Sequence, residues 1–489
     1  MNAETAYIFR HALLRDAAYQ LQLPGDRARL HALALAILEG LCGGRPPEPP
    51  PLGVAEPAAN QTHRSDSIAF ELSEHARAAQ DSGGSTAAAS LRAVRKLYLR
   101  RAAEHAARHF QNLTSSRLWQ QHGELVGGSE KGESLLRAAV LASQAGRLRS
   151  AEPLADQALA LVREAGDARA EGRALGTFAV LYRESGRIGE AEAIFKRALA
   201  LHRRTGDRRA EAVALGNLAG HFQKSGRVEP AERAYVEALA ISRETADRRL
   251  EGMTLGNLAI LCKETGRAAR AERYYEEALS MHREAKDRRL EGIVLGNLAV
   301  LYQETGRAGK AEASYGQALA IHREVGNLRS EGVELGNLAS LHMDTGRWAE
   351  AERGFAQALA INREVENRLY EGVLLGYLGN LHCRSGRFEE SREAFERALA
   401  IHAEVGNRRF EGGHQCDYAL LLLALGRRAQ AGEIWRKGAE VLRDLRDSAE
   451  LGRKTTLMVE ACGKAGVTPF DGPHAEPPGP SGIMAPREP

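Results

Sequence analysis

The chain has 489 residues, which is more than one compact core normally spans, so several domains or an elongated repeat array are expected. Apolar residues make up 43% and aromatic residues only 5%, and the abundance of Ala, Leu, Glu and Arg favours an all-helical protein. The 67 Lys and Arg against 64 Asp and Glu leave a net charge of +3. This small charge, spread over interspersed Glu and Arg, argues against a nucleic-acid partner.

Cysteine usage and hydropathy exclude two further classes. The five cysteines are scattered and form no C-x-x-C pair, which argues against a disulfide framework or a zinc cage. The N-terminus has no signal-peptide pattern, and the chain has no apolar run of roughly 18 residues. We therefore predict a cytoplasmic protein without a membrane partner.

Residues 1–42 are predicted to form a pair of helices. Apolar side chains recur at i, i+4 spacing between Tyr7 and Tyr19, and Pro24 interrupts the pattern before the second helix.

The other segments outside the main repeat have weaker patterns. Residues 43–66 are rich in proline, which predicts a flexible or partly extended linker, and residues 67–130 are expected to form degenerate helical repeats. At the far end, residues 446–466 are predicted to form a capping helix, and residues 467–489, rich in Pro and Gly, are expected to be disordered.

A strict 40-residue period dominates residues 131–445. Gly-Arg dipeptides recur one period apart, with their glycines at Gly146, Gly186, Gly226, Gly266, Gly306, Gly346, Gly386 and Gly426. A turn Asp or Asn keeps the same step, at Asp167, Asp207, Asp247, Asp287, Asn327, Asn367 and Asn407. So many aligned columns indicate one supersecondary unit that is repeated along the chain.

Residues 247–286 predict a helical hairpin. Asp247 is suited to N-cap the first helix, and Gly266 is suited to end it in the left-handed conformation. Apolar residues follow the helical period in both helices, at Leu255, Leu258, Ala259, Cys262, Ala271, Tyr275, Ala278 and Leu279. One hairpin cannot bury these stripes, whereas stacked hairpins can, and the product is a superhelix with an extended concave groove.

Two glycines lie inside the predicted first helix of this unit. Gly252 and Gly256 each cost about 1 kcal/mol relative to Ala. We expect close approach of another helix or of a ligand to offset this cost.

The order of large and small residues at Leu258, Ala259, Gly266, Tyr275 and Ala278 resembles the tetratricopeptide pattern. The usual repeat of about 34 residues closes with a proline, which is absent here, and about six residues are added. The sequence therefore resembles the 40-residue subclass found in cell-polarity adaptors and bacterial regulators. The resemblance implies an all-α fold, a right-handed α-solenoid of stacked helical hairpins that binds a peptide or helix of a partner protein in its concave groove.

The N-terminal segment, residues 1–42, resembles the part that closes the ATPase module of large bacterial signalling proteins. In that family a kinase, cyclase or DNA-binding domain precedes the ATPase, and tetratricopeptide repeats follow it. The present chain contains neither a phosphate-binding G-x-x-x-x-G-K-[ST] loop nor a kinase catalytic loop.

We therefore expect a protein-protein interaction scaffold, not an enzyme, that needs no cofactor. One alternative stays open: the chain is the sensory arm of a signalling ATPase, kinase or transcription regulator whose catalytic part lies outside it.

The candidate binding residues form one column of the first helix, at Asn217, Asn257, Asn297 and Asn337. An Asn amide offers both a donor and an acceptor, which suits the backbone of an extended peptide. The resemblance implies that this column contacts the ligand. The column departs from Asn at Thr177, Tyr377 and Asp417, and the structural alternative is that each Asn bonds to the neighbouring repeat.

Charged residues beside this column are predicted to set specificity: the basic residues are Arg183, Lys224, Lys263 and Arg384, and the acidic ones are Glu264, Glu304 and Asp344. The mixed signs define no ligand charge, and solvated surface is the alternative interpretation.

Two other columns receive structural interpretations. Equivalent histidines of adjacent repeats would lie about 10 Å apart, whereas zinc requires nitrogens at about 2 Å. We therefore predict no metal site, and a structural or solvent-exposed role, for His202, His282, His322 and His402. The Gly-Arg dipeptides are interpreted as turns whose arginines pair with a nearby carboxylate such as Glu272, and no catalytic residue is predicted.

Overall fold

The computed structural model describes residues 23–53, 62–80, 85–445 and 447–470, and within these ranges every regular element is helical. The chain divides into two units, Met1–Leu290 and Glu291–Pro489, which are described separately. The helix predicted between Tyr7 and Tyr19 and nearly all of the predicted C-terminal tail lie outside the described residues.

Unit 1 begins with helices that precede the strict period. They are α1 (Pro24–Leu41), α2 (Ala69–Ala79), α3 (Ser85–Arg108) and α4 (Asn112–Leu125), with a 3₁₀ turn at Asp66–Ile68. The repeat helices follow as α5 (Gly128–Gln144), α6 (Leu148–Glu164), α7 (Ala168–Glu184), α8 (Ile188–Thr205), α9 (Arg208–Lys224), α10 (Val228–Glu244), α11 (Arg248–Glu264) and α12 (Ala268–Glu284). Each odd-numbered repeat helix pairs with the next helix as an antiparallel hairpin.

Unit 2 continues the same pattern. Helix α13 (Arg288–Glu304) starts at the boundary, and the following helices are α14 (Ala308–Glu324), α15 (Leu328–Asp344), α16 (Trp348–Glu364), α17 (Arg368–Arg384), α18 (Phe388–Val405), α19 (Arg408–Ala424), α20 (Arg428–Asp444) and α21 (Ser448–Ala465). The predicted all-α fold of stacked helical hairpins is therefore confirmed within each unit. We call the odd-numbered helices from α5 to α19 the first helices and their hairpin partners the second helices.

The turn column begins the first helices from α7 onward, as predicted. The Asp247 carboxylate accepts the backbone N–H of Leu250 at 3.0 Å, which satisfies a donor that the helix leaves unpaired. The same capping bond is made by Asp167, Asp207, Asp287 and Asn327. Asn367 and Asn407 make no capping bond, so this feature weakens in the last two repeats.

The Gly-Arg dipeptides end the first helices. Gly266 has φ +74°, and the N–H groups of Gly266 and Arg267 donate to the carbonyls of Lys263 and Cys262, the pattern of a Schellman motif. The Arg267 guanidinium then pairs with Glu232 of the preceding hairpin at 2.9 Å. The dipeptide therefore stops one helix and joins two hairpins.

The histidine column lies in the core rather than in solvent. His282 is 1% exposed, and its ring fills a notch at Gly252, where a Cβ would lie 2.7 Å from the ring carbon Cε1. The same arrangement joins Gly172 to His202, Gly292 to His322, and Gly372 to His402. This close approach explains the helix-interior glycines of that column, and the solvent-exposed alternative for the histidines is wrong.

The last hairpin of unit 2 is closed by α21. Lys454 of α21 pairs with Asp417 of α19 at 2.5 Å, and Asn380 donates to the same carboxylate at 2.9 Å. Asp417 and Lys454 are both buried. Helix α21 thus occupies the position of a further first helix and neutralises a buried carboxylate.

Candidate functional site

The first helices line the inner face of each unit. In unit 1, α5 contacts α7, α7 contacts α9 and α9 contacts α11, and in unit 2 α15 contacts α17 and α17 contacts α19. Successive second helices make no contacts of similar extent within the described residues. The first helices therefore lie on the narrower side of each stack, where a groove would form.

The predicted asparagine column belongs to this inner face, and the column begins before the first asparagine. Arg137 on α5 occupies the same column 40 residues before Thr177. Asn217 and Asn257 complete it in unit 1, and Asn297, Asn337, Tyr377 and Asp417 form it in unit 2. The signal for Arg137 is the 40-residue register itself, which extends two repeats further back than the first asparagine.

Unit 1 contains a cavity of about 990 Å³ on this face. Its walls come from α3, α4, α5, α7, α8 and α9, and Gly53 and Thr62 also border it. Apolar side chains supply much of the lining, namely Trp119, Leu136, Val140, Leu141, Val180, Leu181 and Val213. Three column residues, Arg137, Thr177 and Asn217, face the same space.

A row of glycines explains why this space is open. A Cβ added at Gly176 or Gly216 would have no neighbour within 4 Å. The residues 38 positions later, which project from the next first helix, are the small Ala214 and Thr254. Small residues on both sides therefore leave the inner surface of unit 1 uncovered.

The same row is filled in unit 2. A Cβ at Gly336 would lie 2.6 Å from Cδ2 of Leu374, and one at Gly376 would overlap the ring of His414. At Gly296 the occupying group is the carboxyl of Glu334. The size of the residue 38 positions later thus decides whether the inner surface is open or closed.

Glu334 is a carboxyl in an apolar and aromatic setting. It is 8% exposed, and its one hydrogen-bond donor among the described residues is the Asn337 amide at 3.3 Å. Burial raises the pKa of Glu334 to about 7. Burial raises the pKa of the nearby Tyr315 and Tyr370 hydroxyls as well, with a further contribution from the Glu334 charge.

The predicted asparagines have different surroundings. Asn217 lines the cavity of unit 1, whereas Asn257 does not border it. Asn337 is used internally, because the Tyr370 hydroxyl donates to its Oδ1 at 2.7 Å, as the structural alternative expects. Asn297 is half-buried and, within the described part of the chain, makes no side-chain hydrogen bond.

The predicted specificity charges lie at the ends of the first helices. Arg183 is half-buried with its Nη1 3.5 Å from the Asn217 carbonyl, and burial lowers its pKa. Lys224 and Glu304 are exposed and Lys263 is half-buried, while Glu264 accepts from Gln223 at 2.7 Å. In unit 2, Asp344 accepts from Gln303 at 3.0 Å, and Arg384 lies 5.9 Å from the Trp348 ring. None of these charged residues borders the cavity of unit 1.

The described residues contain neither a membrane-spanning helix nor a metal-binding cluster. In the described ranges, no helix combines the length and the apolar character needed to cross a bilayer. No group of three or more His, Cys, Asp or Glu side chains is arranged to hold a metal ion in that same part of the chain.

Comparison with known families gives one match. The family model for the tetratricopeptide repeat matches residues 131–204, 171–244, 210–284, 250–324 and 333–404, which together cover more than half of the chain. This is a repeat family and not a catalytic one. A search of the curated proteins found no match.

Several solved structures are similar to this chain. A Rap protein complexed with competence and sporulation factor is 14% identical, with a TM-score of 0.53 over 72% of this chain and 98% of that one. BtubC from P. vanneervenii is 25% identical, with a TM-score of 0.35 over 46% of this chain and 91% of that one. A signal transduction ATPase with numerous domains and a tetratricopeptide repeat sensor, from Pyrococcus horikoshii, is 17% identical, with a TM-score of 0.46 over 70% and 52%. The first of these shares the helical-repeat fold.

Proposed function

Since the chain belongs to the tetratricopeptide repeat family, we propose that it is a protein-binding scaffold whose unit 1 cavity receives a peptide segment or helix of a partner. The observation that carries this proposal is the open glycine row. Gly176 exposes helix backbone to an apolar cavity of about 990 Å³, although glycine weakens a helix and no neighbouring side chain requires it there. Gly216, one repeat later, likewise has no neighbour within 4 Å of an added Cβ.

The size and lining of the cavity suit a polypeptide. Ligand sites are typically about 300–1,000 Å³, mostly apolar, with a few polar groups that fix orientation. The apolar wall formed by Val140, Val180 and Val213 would bury partner side chains, each fully buried one contributing about 1.5–3 kcal/mol. Thr177 and Asn217 offer hydrogen bonds to a partner backbone beside that wall.

Filling the glycine row tests the proposal. Leu favours the helix and has free space at position 176, so Gly176→Leu should fold normally while it occupies the cavity. The matched control is Gly189→Leu on α8, where a Cβ also meets open space but no cavity is present. The probe is a random twelve-residue peptide library displayed on phage and selected on the full chain.

Selected peptides should lose at least tenfold in affinity for Gly176→Leu and bind Gly189→Leu as they bind the unmodified chain. Equal affinity for both variants, or failure to select any peptide, would refute the cavity as the binding site. Circular dichroism confirms that both variants keep their helical content.

The asparagine column is tested separately. Asn257→Ala should weaken capture of a selected peptide if the column extends the site beyond the cavity within unit 1. Unchanged affinity would remove Asn257 from the site, and Asn217→Ala is the reference within the cavity.

A second function, the sensory arm of a signalling ATPase, is favoured by helix α1. Residues 1–42 resemble the end of an ATPase module, and α1 exposes an apolar stripe in which Leu30, Leu33 and Ile37 are each at least half exposed. Such a stripe is suited to contact with a further domain. A phosphate-binding loop encoded in frame upstream of this chain would support this function, and an unrelated upstream gene would argue for the stand-alone scaffold.

A further inference from the structure

The glycine row of unit 2 is filled in three successive repeats, and the chemistry of the filling group differs in each. Two of the filling groups are the apolar side chain of Leu374 and the ring of His414. At Gly296 the filling group is the carboxyl of Glu334, which an added Cβ would overlap. Of these three residues, only Glu334 becomes negatively charged as the pH rises.

Among the described residues of unit 2, no cation stabilises a carboxylate at this position. Glu334 is buried, and its one hydrogen-bond donor there is the Asn337 amide at 3.3 Å. The titratable groups that face it are hydroxyls, Tyr315 from α14 and Tyr370 from α17. Within the same part of the chain, α13, α16 and the rest of α15 supply no charged side chain that acts on this carboxyl. The neutral acid is therefore stable here, whereas the anion is costly.

The two hydroxyls are engaged with other acceptors. The Tyr370 hydroxyl donates to Oδ1 of Asn337 at 2.7 Å, and the Tyr315 hydroxyl donates to Oε1 of Gln303 at 3.0 Å. Neither hydroxyl proton is therefore directed at Glu334. Burial consequently raises the pKa of Glu334 to about 7, so the carboxyl loses its proton in the neutral range.

The ionised carboxyl has a short path to water. Glu334 projects from a first helix on the inner face, where its hydrogen-bond partner Asn337 is half-buried. Asn297, which directly follows Gly296, is half-buried as well. A change of side-chain rotamer can move the carboxylate to this edge while the helix stays intact. Hydration then removes the cost of the buried charge, and the neutral acid gains nothing comparable by leaving.

The chain contains natural models for both states of this notch. In unit 1 the residue that corresponds to Glu334 is Ala214, and the glycine 38 positions before it, Gly176, has free space around an added Cβ. In unit 2, Leu374 fills the equivalent space permanently with an uncharged side chain. Departure of the carboxyl would therefore make Gly296 equivalent to Gly176.

We propose that Glu334 is a proton-operated gate: the protonated side chain closes the notch at Gly296, and the ionised side chain leaves it and opens the inner surface of unit 2. This device couples the shape of that surface to pH in the neutral range. It goes beyond the proposed function, because it concerns unit 2 and does not depend on peptide binding by unit 1.

Hydroxyl-radical footprinting with mass spectrometry tests the gate in the full chain, because oxidation reports side-chain exposure. The reporters are Tyr315 and Tyr370, which face Glu334. Tyr275 is the internal control, since it lies in the same column as Tyr315 and both are 0% exposed. Oxidation of the reporters should rise about threefold or more between about pH 5.5 and pH 8.5, with a midpoint near 7, while Tyr275 stays unchanged.

Variants at position 334 separate the gate from a general effect of pH. Glu334→Gln has nearly the same shape without the charge, so oxidation of Tyr315 and Tyr370 should stay low at both pH values. Glu334→Ala copies the open row of unit 1 and should give high oxidation at both. Circular dichroism at each pH checks that the helices remain folded.

A pH-independent oxidation of Tyr315 and Tyr370 in the unmodified chain would overturn the inference, and so would the same pH response in Glu334→Gln. Low oxidation of both rings in Glu334→Ala would also overturn it, because an empty notch would then leave the inner surface closed.

Discussion

Replacing Glu334 with Gln is expected to stabilise unit 2 at neutral and alkaline pH. The carboxyl is 8% exposed, lies in the notch at Gly296, and has no cation beside it among the described residues. Its single hydrogen bond, from the Asn337 amide, does not offset the cost of burying a negative charge. Gln has nearly the same shape and keeps an oxygen that accepts this bond.

The magnitude follows from the pKa of the carboxyl. Burial raises the pKa of Glu334 from 4.5 to about 7, so the folded state binds the proton more tightly than the unfolded state. The stability that this group contributes is fully present below about pH 4.5 and is lost as the pH rises through about 7. At about 1.4 kcal/mol per pKa unit, the free energy of unfolding falls by roughly 3 kcal/mol across this window.

The assay compares urea denaturation of the full chain and of Glu334→Gln at pH 5 and at pH 8.5. Because repeat arrays open locally, hydrogen exchange of the α13 and α15 amides reports the region directly. The control is Glu364→Gln at the exposed end of α16, which should change stability by less than about 0.5 kcal/mol.

Glu334→Gln should gain roughly 3 kcal/mol at pH 8.5 and show a much smaller difference at pH 5. Equal stability of the two proteins at pH 8.5, or the same gain at both pH values, would refute the burial argument.

Further substitutions test the packing of the repeats, each by thermal or urea denaturation of the full chain. Gly252→Ala should destabilise by about 1–3 kcal/mol because a Cβ would lie 2.7 Å from a buried imidazole, whereas Gly176→Ala should stabilise by up to about 1 kcal/mol. Equal effects of Gly252→Ala and Gly176→Ala on stability would contradict the close packing of the His282 ring against Gly252. Ala246→Gly should stabilise by about 1 kcal/mol because Ala246 has φ +53°, and no gain would contradict strain there. Lys454→Met should destabilise the protein by about 3–5 kcal/mol because it leaves Asp417 buried without its cation. The double variant Lys454→Met/Asp417→Leu should recover this stability. Unchanged stability of Lys454→Met would contradict the pairing.

The sequence predicted those features that depend on residues close in the chain. The bond between Asp247 and Leu250 and the left-handed conformation of Gly266 involve neighbours within one helical turn, so spacing alone identifies them. The burial of Tyr275 follows from helical periodicity.

Periodicity identifies columns of equivalent residues but does not show which columns contact each other. Gly252 and His282 each belong to a recognisable column, but only packing of the two helices shows that the ring fills the glycine notch. Periodicity does not distinguish a buried from an exposed histidine here, because both fit the same position of a helix.

The candidate site was predicted in outline and missed in detail. The asparagine column does lie on the inner face, yet of the predicted site residues only Asn217 borders the cavity of unit 1. Arg137 occupies the same column but breaks its residue type, so a search for repeated asparagines passes over it. The openness of the cavity depends on Ala214 opposite Gly176, a relation between neighbouring repeats that residue identity alone does not reveal.

Photo-crosslinking tests most directly whether the inner face of unit 1 binds polypeptide. Val213 on α9 and Val236 on α10 are both exposed valines, at 41% and 47%, but only Val213 borders the cavity. Each is replaced in turn by benzoylphenylalanine and irradiated with a selected peptide. Attachment of the peptide from position 213 and not from position 236 is predicted, and attachment from position 236 alone, or equally from both, would contradict the account.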